Sequence, residues 1–490
     1  MSTHQTEVLI IGGGILGAAA ARELSKYKVD TTLVEKEVDW GWGSTKANIG
    51  LVCQGGDCLE FRPEYRRSKL VWDSIPMMEP LCQELEVPFK RVGMMGVYMN
   101  EDQRSKFSKM QSRAEKIGIT SHQWIDRDTL FDMEPHVTRD ALGALFDPVP
   151  AVTDPIKLNI ALAENAEQNG VHAMLGTEIT DISRGVDGFE AKTNNGPIKA
   201  RFIVNAAGLY VDKMARMVNA DSFVVYPVKG YVGVLDKRMG DLVRHNVWRV
   251  PPIPGELNII EPTVDGNVIF GITLMQARRG DFSTKAEMAE AALKHVQGIV
   301  PELSAKDVIK YFAGFMMMKN FELGWHNCVV EPSPTVPAFI NATMGYPGIS
   351  ACPATAKEIV RMLADQGLDL IEKTDFNPRR KDITDFSELP DEEKSELIAR
   401  EPRYGHVVCR CETVTEMEVV DAIRRGATTL DGVKHRTRAG TGRCQSGFCR
   451  SRVISILARE LGISEQEVTM AGGGSREMLY KSKQLLEGGD

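Results

Sequence analysis

Residues 12–17 read Gly-Gly-Gly-Ile-Leu-Gly, and no other feature constrains the fold of this chain more tightly. This G-x-G-x-x-G spacing follows a short apolar run at residues 7–11 and opens a stretch, 15–27, with helical apolar spacing. A β-branched run at 31–34 comes next and ends at Glu35 and Lys36. In such a strand–turn–helix–strand unit each glycine has its own task. Gly12 permits the tight turn, Gly14 lets the backbone approach a pyrophosphate, and Gly17 lets helix and strand pack closely. The helix start at Ile15 and Leu16 offers free N–H groups and a positive dipole end to an anion. Glu35 lies at the distance needed to accept hydrogen bonds from a ribose diol. Glycines alone are equally a structural turn; with strand, helix and acid in place the unit reads as a dinucleotide site.

Composition narrows the rest. A length of 490 residues suggests two to four domains. A net charge of −8 with 43% hydrophobic residues excludes a disordered chain and a wholesale nucleic-acid binder. The most apolar stretch, 8–21, falls short of the roughly 20 residues of a membrane span. It also lacks the basic lead of a signal peptide, so a cytoplasmic protein is expected, with peripheral membrane attachment left open.

The chain returns to the nucleotide fold twice. A strand at 200–204 runs into Asn205-Ala206-Ala207-Gly208, small residues that allow close backbone approach, though equally a plain strand end. Strand 189–192 precedes it across the turn signal Asn194-Asn195-Gly196, and a helix at 155–169 should bury Ile156, Ile160 and Ala163. Far downstream Met344-Gly345-Tyr346-Pro347-Gly348-Ile349-Ser350 leads into a helix at 354–363, whose N-terminus can stabilise negative charge. Two returns favour a buried FAD over an exchangeable nicotinamide. Between them lie insertions at about 81–144 and 223–318. The second is rich in strands and turns, including Pro251-Pro252-Ile253-Pro254-Gly255 and the hairpin signal Asp265-Gly266-Asn267.

Together with Gly43-Ser44-Thr45-Lys46-Ala47-Asn48, these motifs resemble the FAD-dependent oxidoreductases of the glycine oxidase, D-amino-acid oxidase and glycerol-3-phosphate dehydrogenase superfamily, over roughly residues 7–367. The resemblance implies an α/β, two-lobed, Rossmann-like FAD-binding fold with an α+β substrate lobe. It places Gly12, Gly14, Ile15, Leu16, Gly17, Glu35, Lys36, Ser44, Thr45, Asn48, Ala207, Gly208, Gly348, Ile349 and Ser350 around the cofactor. Two branches compete. Residues 227–231, 258–271 and 331–341 look like the glycerol-3-phosphate and L-2-hydroxyglutarate dehydrogenases. Residues 50–55, with Pro63, Tyr65, Ser68 and Trp72, look like the opine oxidase, hydrogen cyanide synthase and D-hydroxyproline dehydrogenase branch.

Two departures favour the amine branch. Cys53 stands where the hydroxy-substrate branch has a His to take the hydroxyl proton. Met316 follows Phe312-Ala313-Gly314-Phe315 where many relatives clamp a carboxylate with Arg. Met316, Met317 and Met318 read as pocket wall or core. Arg244, Arg249, Arg278, Arg279 and Lys229 are the cations available to replace the clamp, each equally a surface charge. Cys53, Gln54 and Tyr231 are the catalytic candidates; Tyr231 is equally a plain strand aromatic, and His245 and His326 read as structural or exposed.

Of nine cysteines, five are scattered (Cys53, Cys58, Cys82, Cys328, Cys352) and four crowd the end. Cys409, Cys411, Cys444 and Cys449 form C-x-C…C-x4-C, which suits four thiolates on a [2Fe–2S] cluster better than a zinc site, whose ligand pairs sit two to four residues apart. Eight basic residues and one acid occupy 424–452, a counterweight to an anionic cluster or a docking face. Thr413 with Glu416 reads as a capping box for a helix reaching Arg425, with further helices from about Cys449 and after Ser464. The phrases Cys-Arg-Cys-Glu and Gly-Arg-Cys-Gln-Ser-Gly-Phe-Cys resemble the bacterioferritin-associated ferredoxin-like [2Fe–2S] domain, a small helical unit.

The expected layout is therefore an oxidoreductase at 1–375 (FAD lobe about 1–80, 145–222 and 319–375; substrate lobe about 81–144 and 223–318), a charged linker at 376–404, and a [2Fe–2S] domain at 405–490. The linker carries six basic and eight acidic residues and little core; a surface helix at 391–400 is the other reading of part of it. The leading functional expectation is a dehydrogenase subunit that oxidises a small amino- or imino-acid-like substrate and sends electrons through the cluster to another protein. The alternatives are a glycerol-3-phosphate or L-2-hydroxy-acid dehydrogenase and a non-catalytic electron relay. The resemblance implies a hetero-oligomer with a partner flavoprotein and a small iron–sulfur subunit.

Overall fold

The computed structural model describes residues 3–55, 65–220, 223–249, 258–319 and 328–480. Cys58, Pro63, the turn at 251–255 and His326 lie outside the described residues, as does the side chain of Tyr65. The chain divides into two compact units, one of Met1–Lys36 with Trp40–Arg380, the other of Glu37–Asp39 with Lys381–Asp490.

The first unit is built on two eight-stranded sheets. In one, His4–Ile11 lies parallel to Thr31–Val34 on one side and to Ile198–Asn205 on the other. Phe339–Met344 extends the sheet, again in parallel. Parallel strands need crossovers, and helices supply them. Ile15–Leu24, Pro155–Gln168 and Gly348–Asp365 cover one face. Their buried residues are mostly small or aliphatic: Ala18, Ala20, Ala161 and Ala351 let the helices approach closely. Of the three residues expected to be buried on Pro155–Gln168, Ile160 and Ala163 are buried and Ile156 is only half-buried. The turn Asn194-Asn195-Gly196 joins Phe189–Thr193 to Ile198–Asn205 as an antiparallel pair, with Gly196 at φ +109°.

The second sheet runs in the order Val308–Lys319, Val225–Leu235, Val268–Gln276, Asn258–Pro262, Asn246–Arg249, Met94–Tyr98, Gly143–Asp147, Gln123–Asp126. It combines strands from both insertions, and the hairpin at Asp265-Gly266-Asn267 closes through Gly266 at φ +82°. The outer face of this sheet packs on the amphipathic helix Ala286–Gln297 through Val247, Ile260, Phe270 and Val296.

In the second unit, Glu416–Arg424, Leu430–Thr437 and Arg450–Leu461 pack around Val419, Val433 and Leu457. The capping box sits two residues later than the spacing predicts. Thr415 caps and Glu418 returns the bond, while Thr413, at φ +53°, is in the left-handed region that a cap residue's extended backbone excludes. Leu430–Thr437 is a helix that the sequence reading missed, and the stretch after Ser464 forms turns where a helix was expected. Within the charged stretch 376–404, Ile383, Phe386 and Tyr404 are buried in this unit's core, so it is more than a solvated connection. The helix Asp391–Arg400 within it has no buried residue. Among the described residues, no helix is long and apolar enough to cross a membrane.

Candidate functional site

The glycine turn is set by contact distances. Gly12 sits at φ +107°, and a Cβ there would lie 2.5 Å from the carbonyl oxygen of Ala206. A Cβ on Gly17 would lie 1.9 Å from the Gly12 carbonyl oxygen. Gly14 is different: its nearest neighbour would be Thr45 Oγ1 at 3.5 Å, ordinary contact. Helix and strand thus leave no room at Gly12 and Gly17, whereas Gly14 presents bare backbone beside the helix start, as an approaching pyrophosphate requires.

Polar groups converge there. Glu35, at the end of Thr31–Val34, accepts a hydrogen bond from Gly13 N at 2.8 Å, and Thr45 Oγ1 accepts from Ile15 N at 3.1 Å. Ser44 is exposed beside Thr45, and Asn48 Oδ1 accepts from Gly50 N at 2.7 Å. Leu16 is buried behind the turn. Ala207 and Gly208 open a short turn to Tyr210, whose ring carries the Lys36 ammonium 4.8 Å from its centroid. The first turn of Gly348–Asp365 closes on this start, with Gly348 facing Ile15 and Ile349 buried. Ser350 ties it to residues 43–55, the loop expected beside the flavin and called the flavin loop below: its hydroxyl accepts from Cys53 N at 3.1 Å and lies 3.6 Å from the Cys53 thiol. The structure therefore brings together the sequence-predicted cofactor residues from five separated segments.

Gly230 and Gly314 face each other across two strands, and a Cβ on Gly314 would lie 2.5 Å from the Ala47 carbonyl oxygen. That face of the second sheet meets the flavin loop. Val228 and Met316 share it by alternation, so the position where many relatives carry Arg does face the loop, and here it is a half-buried thioether. Lys229, Tyr231 and Phe315 take the opposite face, with Lys229 Nζ 5.8 Å and 6.0 Å from the two rings. Tyr231, expected as a pocket hydroxyl, is fully buried away from the flavin loop because the strand's period of two turns it outward.

Three of the five substitute clamps are committed elsewhere. Arg279 grips the buried Asp212 carboxylate at 2.7 and 2.8 Å. Lys229 donates to the carbonyls of Asp281 and Ser283, and bonds from Ser283 and Lys229 hold the Asp281 carboxyl down to about 2. Arg249 approaches carbonyls at the end of Ala286–Gln297, and Arg244 and Arg278 are exposed. His245 binds the buried Glu134 carboxylate at 2.7 Å. Gln54 donates to Ser121 Oγ at 2.8 Å and to Asp147, whose carboxyl is pushed up by burial; it anchors the loop. Asp147 and Asp212 were invisible to sequence reasoning, because Gln54 and Arg279, which they engage here, lie 93 and 67 residues away with no shared motif. Burial pushes the Cys82 thiol up to about 12 and the Cys352 thiol higher still, which leaves both inert packing groups.

The terminal cysteines form two pairs. Cys411 Sγ lies 3.7 Å from Cys444 Sγ, and Cys409 is hydrogen-bonded to Cys449. The bond from Cys449, with backbone bonds at Gly440, Glu412 and Cys411, lowers the Cys409 thiol to about 6. Among the described residues no three His, Cys, Asp or Glu groups converge to hold one metal ion. Two thiol pairs match a two-iron cluster, which needs two sulfurs per iron, and do not match a single tetrahedral zinc.

A glycine-lined nucleotide cradle, a loop meeting a second sheet, and paired terminal thiols define a flavoprotein with an iron–sulfur domain. The family models agree: FAD dependent oxidoreductase matches residues 7–362, and BFD-like [2Fe-2S] binding domain matches 407–459. The chain belongs to the FAD-dependent oxidoreductase family, binds FAD and a [2Fe–2S] cluster, and is a dehydrogenase-type enzyme. It is 36% identical over 473 residues to a glycerol 3-phosphate dehydrogenase of Caloramator mitchellensis, a match covering 96% of this chain and 97% of that one. An anaerobic glycerol-3-phosphate dehydrogenase subunit A1 of Haloferax volcanii is 26% identical, over 92% of this chain and 83% of its own length. Among solved structures, the FAD-bound L-alpha-glycerophosphate oxidase of Mycoplasma pneumoniae superposes with a TM-score of 0.71 at 27% identity, covering 77% of this chain and 98% of that one.

Proposed function

We propose that this protein is a glycerol-3-phosphate dehydrogenase subunit that oxidises the substrate's secondary alcohol and delivers the electrons through its terminal domain to a partner protein. The end-to-end likeness to the Caloramator enzyme carries the reading, because it spans both the flavin and the cluster regions. This moves the substrate from the amine expected at Cys53 and Met316 to the hydroxyl alternative. The name of the Haloferax relative, a subunit, supports a multi-subunit assembly.

When bound, FAD would supply the two-electron acceptor for oxidation of the C2 alcohol, and the thiols of Cys409, Cys411, Cys444 and Cys449 would hold a [2Fe–2S] centre that supplies one-electron transfer. The chain's own residues set the frame for that chemistry. Gly12 and Gly17 let helix and strand close on the turn, Gly14 leaves the approach open to the pyrophosphate, and Ser350 fixes Cys53 and hence the flavin loop. Gly314 lets the second sheet close on that loop at Ala47, and Met316 adds an apolar thioether to the same face.

Anaerobic mixing of the holoprotein with glycerol 3-phosphate, small amino and imino acids, and L-2-hydroxyglutarate tests this. Glycerol 3-phosphate is expected to bleach the flavin. Bleaching by an amine alone would restore the first expectation; bleaching by none would make the chain a relay.

A further inference from the structure

The segment that carries the proposed cluster ligands has an unbalanced charge. Residues 406–452 carry nine Lys and Arg against five acids, and of the nine Arg436 and Arg450 pair with acids outside the stretch, Asp39 and Glu477. Every one of those acids is already engaged within the unit. Glu412 pairs with Arg438 at 3.1 Å, Glu416 with Arg459 at 2.7 Å, and Asp421 with Arg424 at 3.5 Å. Asp431 pairs with Lys434, and Glu418 closes the capping box with Thr415. Arg410 and Arg452, both exposed, have no carboxylate partner among the described residues. Arg452 instead donates to the Val407 carbonyl at 3.1 Å, which sets its guanidinium beside the strand leading to Cys409 and Arg410.

The thiol pairs differ in access. Cys409 and Cys449 are buried, whereas Cys411 is exposed and Cys444 half-buried. Phe448, in the loop between Cys444 and Cys449, is 79% exposed, and Val407 is also exposed. An exposed aromatic ring in the ligand loop offers a partner an apolar anchor. Apolar anchors accompanied by arginines that lack a carboxylate partner are the composition of a protein-docking patch.

We propose that Val407, Arg410, Phe448 and Arg452 form the docking surface for an acidic one-electron carrier protein, with the Cys411–Cys444 edge as the electron exit. Its arginines steer a negatively charged face onto that edge, and Phe448 is the apolar anchor. One electron passes from the reduced cluster to the carrier at each encounter, with no bond made or broken. The inference rests on the reading that electrons leave through the cluster, and on nothing about the substrate.

The test uses full-length holoprotein reduced with dithionite and freed of excess reductant. Two acceptors share one haem: native cytochrome c, which is basic, and succinylated cytochrome c, which is acidic. A cluster-free C444S variant measures direct transfer from flavin, which is subtracted. At low salt the acidic form is expected to be reduced about tenfold faster than the basic form, with the gap closing as salt rises. R410E and R452E should each erase most of that preference, and R410K should keep it. F448S should slow transfer without changing its salt dependence. Visible spectra confirm cluster loading in each variant, and R452E lies outside the ligand loops should R410E load poorly. Equal rates for the two forms, or a preference that survives both charge reversals, would overturn the proposal. So would arginine-dependent binding to phosphatidylglycerol vesicles without any preference between the cytochromes, which would make the patch a membrane surface. Failure of both forms to oxidise the reduced cluster would sink the exit through the cluster itself, and the patch with it.

Discussion

Gly14 and Gly17 stand three residues apart in one motif, yet the structure gives them separate physical roles. At Gly17 any side chain meets the Gly12 carbonyl, which is backbone and cannot swing aside. G17A should therefore destabilise the protein with or without FAD, by about 1–3 kcal/mol as overpacking generally does. At Gly14 a methyl group meets only a hydroxyl at ordinary distance. G14A should leave the melting temperature of the FAD-free protein unchanged but reduce flavin retention, since the added methyl occupies the pyrophosphate's approach. Thermal melts of the FAD-free forms with flavin titration separate the two; equal loss of stability in both variants would contradict this division. These residues were readable in sequence because a glycine's lack of Cβ is a local property. Tyr231 was not: its residue type suits a pocket, but only the pairing of Gly230 with Gly314 shows which face of the strand looks at the flavin loop.

Strand pairing also creates a buried acid that no motif announces. The antiparallel register of Asn246–Arg249 with Asn258–Pro262 sets Asn246 beside Glu261, and the Asn246 amide donates to the Glu261 carboxylate. Glu261 is fully buried, and that burial pushes its carboxyl up to about 8, against the smaller lowering effect of Asn246. A carboxyl raised in the folded state keeps its proton there while the unfolded chain ionises. Its contribution is thus fully present below about pH 4.5 and is lost as pH rises toward 8. E261Q, which keeps the amide bond and removes the ionisation, should flatten that slope. It should match the parent near pH 5 and exceed it at pH 8 by on the order of a few kcal/mol, read from urea midpoints. A parent slope retained in the variant would rule Glu261 out as its source. The legible elements were those with local signals: the helices Ile15–Leu24 and Pro155–Gln168 and the hairpin at Gly266 all carry caps, turns or periodicity. The order of the second sheet was not legible, because it joins Met94–Tyr98 to Asn246–Arg249 across about 150 residues.

At the scale of the whole molecule, each proposed cofactor site lies within one unit. The FAD cradle draws on Gly12–Gly17, Thr45, Ala207 and Gly348 of the first; the four cluster thiols all belong to the second. The thiols bond to one another, Cys411 with Cys444 and Cys409 with Cys449, so removing one should leave the first unit's chemistry intact. Cys444 is the thiol to remove: it is half-buried and bonds to Cys411, so serine there costs little packing while taking away one of the proposed iron ligands. C444S is expected to retain flavin and to be bleached by glycerol 3-phosphate at a rate within about twofold of the parent, because the transition-state contacts are unchanged. It should lose the cluster's visible absorption and its reduction of a protein acceptor, while still reducing a small dye. Loss of flavin along with the cluster would mean that the two units are energetically inseparable. Retained reduction of the protein acceptor would mean that electrons leave from the flavin directly, and the paired thiols would then need a different purpose.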